Sequence, residues 1–157
     1  MRGLKGQQPQ VHINELTAGE MANLARLEKL SEREVLSAMK DAGLTSLPGG
    51  GAEVFSTAVR ATIAERKLTG EEWIRVHRTA HELGIPTNCT MLYGHVETAT
   101  DRLEHLSMLR ALQADTGGFL TFIPLAYHPD HNELVAELRR VGASTAGSGD
   151  RRHIAVE

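Results

Sequence analysis

Helix starts constrain this chain more than any other feature of its sequence. Three segments match the capping pattern S/T-x-x-E: Thr17 with Glu20, Ser31 with Glu34 and Thr69 with Glu72. Thr98 with Asp101 is a version with a shorter acid. In each, the hydroxyl can accept from the third helical N–H while the carboxylate reaches back to the cap N–H. The pattern predicts helices opening near residues 18, 32, 70 and 99. Glycines at Gly43, Gly84 and Gly117–Gly118 mark where three of them end, since glycine takes the left-handed conformation past a helix without steric penalty. The apolar runs between are short: Val11 to Leu16, Ser46 to Leu47, Thr87 to Leu92 and Leu120 to Leu125. Short strands separated by helix-length segments pair in parallel, because a hairpin has no room for a helix. The expected fold class is therefore α/β, with about four parallel strands and crossover helices. A closed barrel takes eight strands and about 250 residues, so 157 residues fit either a small open α/β sheet or a piece of a barrel.

Apolar stripes agree with the predicted helices. Val35, Met39 and Ala42 share one face, as do Trp73, Val76, Ala80 and Leu83, and Leu103, Leu106, Leu109 and Leu112 form a third set. No shift in composition marks a linker, so residues 1–157 read as one domain. Residues 1–10 are expected to be disordered and 142–149 to form a flexible loop of small residues.

Composition narrows the function classes. A net charge of −3 provides no basic footprint, and 4% aromatic residues leave little for base stacking, so nucleic acid is not an expected partner. No apolar run approaches the 18 residues of a membrane span, and the first ten residues lack a signal-peptide core. Cys89 is the one cysteine, which excludes an internal disulfide and a thiolate metal site. A cytoplasmic protein acting on a small molecule is the expectation.

Two segments carry chemistry. The run Thr87 to Thr98, TNCTMLYGHVET, reads as a buried strand that breaks at Gly94 and is followed by His95 and Glu97. The next strand, in GFLTFIPLAYHPDH, likewise ends in His128 and His131. Side chains at the carboxyl ends of barrel strands face a shared pocket. The second segment is Ser46-Leu-Pro-Gly-Gly-Gly-Ala-Glu53. Three glycines after a strand let the backbone approach a ligand and present N–H groups to an anion, with Glu53 adding a carboxylate. A flexible turn is the plainer alternative. His95, Glu97, His128 and His131 together could bind zinc or iron as a metal-dependent hydrolase, serve as acid–base or substrate-binding groups, or be loop histidines satisfied by backbone. His77 and His81 are four apart, but Arg78 stands where a zincin has glutamate, so they read as a solvated or partly packed helix face. Cys89 reads as a buried small hydrophobe.

The stretches LPGGGAEVF, GEEWIRVHRTAHELGIPTNCTMLYGHVET and LRALQADTGGFLTFIPLAYHP resemble the radical S-adenosylmethionine enzymes of the futalosine route to menaquinone. The aminofutalosine synthase branch is the nearest. The enzyme that cyclises dehypoxanthine futalosine and the radical enzymes of deazaflavin-cofactor synthesis share much of the pattern. The likeness runs from about Thr17 to His153. It implies a partial TIM-type (β/α) barrel, S-adenosylmethionine and a [4Fe–4S] cluster as cofactors, and addition of a 5′-deoxyadenosyl radical to 3-[(1-carboxyvinyl)oxy]benzoate. It places Glu53, Gly94 and Glu97 around the cofactor and His95 and His128 toward the substrate, and assigns no catalytic residue. The cluster motif of the family, CxxxCxxC, does not occur here. The chain is thus expected to be an incomplete barrel that cannot bind the cluster alone and that self-associates through exposed strand edges. A non-catalytic adenosyl-binding remnant is a further alternative.

Overall fold

The computed structural model describes residues 1–128. Its elements are α1 (Arg2–Gln7), α2 (Ala18–Glu28), α3 (Glu32–Asp41), α4 (Thr57–Ile63), α5 (Gly70–Glu82), β1 (Thr87–Tyr93), α6 (Ala99–Thr116) and β2 (Phe119–Ala126). The helix starts expected at residues 18, 32, 70 and 99 are those of α2, α3, α5 and α6. At each, the cap hydroxyl accepts from the backbone N–H three residues on while the N3 carboxylate returns to the cap N–H. Thr69 N, for example, donates to Glu72 Oε2 at 2.7 Å. The expected disorder of the first ten residues is corrected by α1: Lys5 Nζ donates to the carbonyls of Pro9 and Val11. The 142–149 loop and His131 lie outside the described residues.

The strands are parallel, as expected; the first, expected over Val11 to Leu16, shrinks to one bridge at Asn14, and the second keeps its two residues, Ser46 and Leu47, each in a bridge. β1 pairs with β2 in parallel. Asn14 bridges Ser46, and Leu47 bridges Thr87, both in parallel. The spatial order of the four segments is therefore their sequence order. That is the order of one arc of a (β/α) barrel rather than of a doubly wound sheet, whose order reverses. The second segment ends at Pro48, which has no N–H to extend a ladder, and Leu16, two residues past the first bridge, has a φ of +65°.

The main core lies between the sheet and the three-helix layer α2, α3 and α5, and includes Ile13, Met21, Leu36, Leu47, Trp73, Val76, Ile85 and Cys89. A smaller cluster of Val54, Val59 and Met91, with Tyr93, Val96 and Leu106 against it, sits toward the carboxyl ends of the strands. In α6 the expected stripe is corrected. Leu109 and Leu112 are buried, Leu103 is 68% exposed, and His105 takes the inward position. Steps of three in a 3.6-residue helix drift by about 60° each, so residues 103 and 112 cannot share a face. Residues 105, 109 and 112 do.

At the amino end of β1, His77 of α5 is fully buried, which corrects the expected helix face, while His81 is partly packed, as expected. Thr116 Oγ1 donates to the Leu112 carbonyl at 2.8 Å and so accepts from His81 Nδ1 at 2.6 Å. His81 Nε2 then accepts from Thr87 Oγ1, which accepts from His77 Nδ1, both at 2.8 Å. The direction of each bond is assigned from this network. The Trp73 ring stacks on His77 at 3.6 Å. A Cβ on Gly118 would run into the His81 ring, so glycine is required there. Burial drives His77 well below its ordinary value and lowers His81 and His105 to about 4. The unfolded chain therefore binds protons that the folded chain refuses, from about 6.5 down to about 4. In that window stability falls as pH falls. Urea midpoints should drop steadily from pH 7 to pH 4.5, and a flat profile would contradict the buried neutral chain. The capping carboxylates Glu20, Glu34, Glu72 and Asp101 are held low by their cap hydrogen bonds, and their loss begins at the low end of that window, near the glutamate value of 4.5, and continues below it.

Candidate functional site

Two loops meet at the carboxyl ends of the strands. The first, residues 48–55, leaves the second strand segment. Gly49 presses on β1 so closely that a Cβ would lie 2.8 Å from the Cα and carbonyl carbon of Cys89. Every carbonyl from Gly49 to Val54 accepts from a donor beneath or beside the loop. Thr90 Oγ1 donates to Gly49 O at 2.7 Å and Trp73 Nε1 to Gly50 O at 3.3 Å. Arg60 Nη2 donates to Gly51 O at 3.2 Å, and Arg60 Nη1 to Ala52 O at 2.6 Å and Val54 O at 3.3 Å. Leu92 N donates to Glu53 O at 3.0 Å. Arg60 Nη2 also donates to Leu68 O. Arg60 is 5% exposed, and burial lowers its pKa while the charges of Glu53 and Glu72 raise it. Gly51 and Glu53 have positive φ, +83° and +47°. For a glutamate this backbone region is unfavourable, which marks the loop as held by its surroundings. The Glu53 carboxylate pairs with Lys67.

The second loop follows β1. Gly94, at φ +90°, turns the chain, and Glu97 folds back beneath it. Glu97 Oε1 accepts from Gly94 N at 2.6 Å and Oε2 from His95 N at 2.9 Å. Arg102 Nε is 3.0 Å from Oε1, an ion pair by distance whose N–H does not point along the contact. The Glu97 side chain has no solvent exposure. His95 is equally enclosed. Its Nε2 is 3.0 Å from Leu92 O, and its Nδ1 accepts from Val96 N at 2.7 Å and is 3.1 Å from Glu97 Oε2. Tyr127, just past β2, lays its ring edge-on to His95 at 5.9 Å and donates its N–H to Tyr93 O. Its hydroxyl is buried without a partner among the described residues, and desolvation raises its pKa.

Glu53, Gly94, His95 and Glu97 thus lie at one end of the sheet, joined through Leu92 and Glu53. His128, exposed, follows β2 at the same end. The geometry makes Glu97 and His95 the framework of the 94–97 turn and leaves Glu53 and His128 at the rim. Sequence reasoning missed Arg60, Trp73 Nε1, Thr90, Arg102 and Tyr127. The one signal for Arg60 was an arginine beside Val59 on the inner face of the short apolar helix α4.

Of the expected cofactors, the iron–sulfur cluster makes the sharpest demand on residue type. A [4Fe–4S] cluster takes cysteine thiolates, and Cys89 is the only cysteine of the chain. It is buried, burial raises its pKa to about 11, and its Sγ donates to Thr121 O. The residues present do not fit the cluster. Among the described residues no group of three His, Cys, Asp or Glu side chains could hold a metal ion either, and no helix is long and apolar enough to cross a membrane. The strand ends do bring together glycine backbone and the rim carboxylate of Glu53.

The family model described as the radical SAM superfamily matches residues 4–109. The chain belongs to the radical SAM superfamily. It is 51% identical over 156 residues to the aminodeoxyfutalosine synthase of Thermus thermophilus, which covers 99% of this chain and 42% of that protein. It is 45% identical over 134 residues to the aminodeoxyfutalosine synthase of Streptomyces coelicolor, 85% of this chain and 35% of that one. A 5-amino-6-(D-ribitylamino)uracil–L-tyrosine 4-hydroxyphenyl transferase of Methanopyrus kandleri is 41% identical, over 93% of this chain and 39% of its own length. The chain therefore spans about two fifths of the curated relatives it matches.

Proposed function

We propose that this chain is the adenosyl- and substrate-binding portion of a cytoplasmic radical S-adenosylmethionine enzyme of the aminofutalosine synthase type, acting on 3-[(1-carboxyvinyl)oxy]benzoate in menaquinone biosynthesis. The observation that carries the reading is the similarity to two aminodeoxyfutalosine synthases, at 51% and 45% identity, against 41% for the hydroxyphenyl transferase. S-adenosylmethionine, when bound, would supply the 5′-deoxyadenosyl group that is joined to the substrate. This chain, with Cys89 as its one cysteine, has no residues to hold the iron–sulfur cluster.

The chain's own residues bind, orient and exclude water, which is the protein's share in a cofactor enzyme. Gly94, whose N–H is held by Glu97, would lie against the flat adenosyl group beside the end of β1. Glu53, aimed by its unusual backbone and paired with Lys67, addresses the ribose or methionine end. His128, exposed at the end of β2, faces the substrate, and His95 does so indirectly by buttressing Tyr127.

The test is a graft. This chain replaces the matched segment of the Thermus thermophilus relative, and the reconstituted protein is given S-adenosylmethionine and a reductant. The expected product, read by mass spectrometry, comes from 3-[(1-carboxyvinyl)oxy]benzoate. Product formed only from tyrosine with 5-amino-6-(D-ribitylamino)uracil would assign the chain to the transferase branch instead.

A further inference from the structure

The face of the sheet turned away from the helices changes character from one end to the other. Ile13, Leu47 and Cys89 point into the core shared with the helices. Side chains alternate along a strand, so Asn14, Ser46 and Asn88, each one residue away from these, point to the opposite face. His12 joins them, with its Nε2 2.8 Å from Ser46 Oγ. Asn14 is the bridge partner of Ser46, Ser46 and Asn88 flank the Leu47–Thr87 bridge, and Asn88 is the register partner of Thr121. A polar row therefore crosses all four strand segments. Toward the carboxyl ends the same face turns apolar, with Leu92 opposite Leu125 and with Ile123 and Leu125 exposed at 39% and 45%.

Solvent does not explain that pattern. A sheet face covered only by water is polar along its whole length, and here the half nearest the strand ends is leucine and isoleucine. In the arc order of these strands the face is the inside of the barrel, where branched aliphatic side chains normally fill the layers. Asparagine, serine and threonine in such a layer need hydrogen-bond partners once water is excluded. Asn14 and Thr121 are exposed and Asn88 is half-buried, so their amides and hydroxyl are open to a partner on that face. The row holds two amides, two hydroxyls and an imidazole, with no carboxylate among them. Convergent donors beside an apolar wall fix the orientation of a small ligand that is polar at one end, and an aromatic acid has that shape.

We propose that Asn14, Ser46, Asn88 and Thr121, with His12, bind the benzoate carboxylate of 3-[(1-carboxyvinyl)oxy]benzoate, while its ring lies against Leu92, Ile123 and Leu125. This deepens the function proposed above and rests on it for the identity of the ligand. With the benzoate end held in the row, the enol ether points to the carboxyl ends of the strands. Its double bond is then the part of the substrate nearest the end of β1, where the adenosyl group is placed. The residues of the row bind and orient; none of them reaches the reacting double bond.

The experiment is NMR on the labelled chain, following the side-chain amides of Asn14 and Asn88 and the methyl groups of Leu92 and Leu125. The chain is titrated with 3-[(1-carboxyvinyl)oxy]benzoate, with benzoate, with pyruvate as an acid that has no ring, and with S-adenosylmethionine. The expected result is a saturable shift of both side-chain amides with the substrate and with benzoate, and nuclear Overhauser contacts from the ring protons to the Leu125 methyls. Pyruvate should move neither amide. Asn88→Leu, close in size, should weaken benzoate binding about tenfold, the loss of one hydrogen bond to a charged group, and leave the affinity for S-adenosylmethionine unchanged. Amides that move with pyruvate and not with benzoate would overturn the orientation. Substrate shifts confined to the 94–97 turn, no response to benzoate or substrate, or unchanged benzoate affinity in folded Asn88→Leu would overturn the row. If Asn88→Leu does not fold, Thr121→Val on the exposed strand β2 takes its place with the same expected loss. S-adenosylmethionine separates this proposal from the reading it rests on. Its binding without a response to benzoate or substrate overturns the row and spares the adenosyl pocket. A benzoate response without its binding supports the row and removes the adenosyl pocket.

Discussion

Replacing Glu97 with alanine should destabilise the protein by about 3–5 kcal/mol, the range for removing one partner from a buried charge network. The carboxylate has no exposure, accepts from the N–H groups of Gly94 and His95, and lies 3.0 Å from Arg102 and 3.1 Å from His95. Its loss leaves two buried amides and a guanidinium unmatched at once. Against a typical total of about 5–15 kcal/mol, that is a large share. Glu97→Gln keeps one carbonyl acceptor and should lie between the two. Urea unfolding of the three proteins is the measurement. If alanine costs under about 1 kcal/mol, in the range of an exposed pair, the 94–97 turn is not held by Glu97.

Trp73→Ala should show a loss of similar size, about 3–5 kcal/mol for a fully buried tryptophan. The ring joins the core to the site. It is 1% exposed, stacks on His77, packs 5.3 Å from the Phe55 ring and donates Nε1 to Gly50 O. Trp73→Phe separates the two contributions, because it keeps much of the packing and loses only the bond to the loop. That bond should contribute about 1 kcal/mol to stability. Equal losses for phenylalanine and alanine would place the whole effect in the hydrogen bond and contradict the packing account.

How much of this was legible in the sequence follows from how local each interaction is. The helix starts were readable because Thr17, Ser31, Thr69 and Thr98 each find their partner three residues away. The parallel order followed from the helix-length spacing between apolar runs. Cys89 was readable as a buried hydrophobe from its apolar neighbours. The burial of His77 was not, because the hydroxyl that its ring meets, that of Thr87, comes from β1. Arg60 was missed for a related reason: its partners are carbonyls, and every residue has one. The first strand contracted to a bridge at Asn14, with Leu16 at positive φ two residues on, a backbone effect that an apolar run does not announce. The site residues Glu53, Gly94, His95 and Glu97 were visible as a strand-end cluster. Their division into framework and rim required the hydrogen bonds.

The central claim is that these strand ends form an adenosyl pocket, and the most direct measurement is calorimetric titration of this chain with S-adenosylmethionine, repeated on Glu53→Gln. The account predicts saturable, one-to-one binding that weakens in Glu53→Gln, without any cluster present. Binding that is absent, or that is indifferent to Glu53, would contradict it.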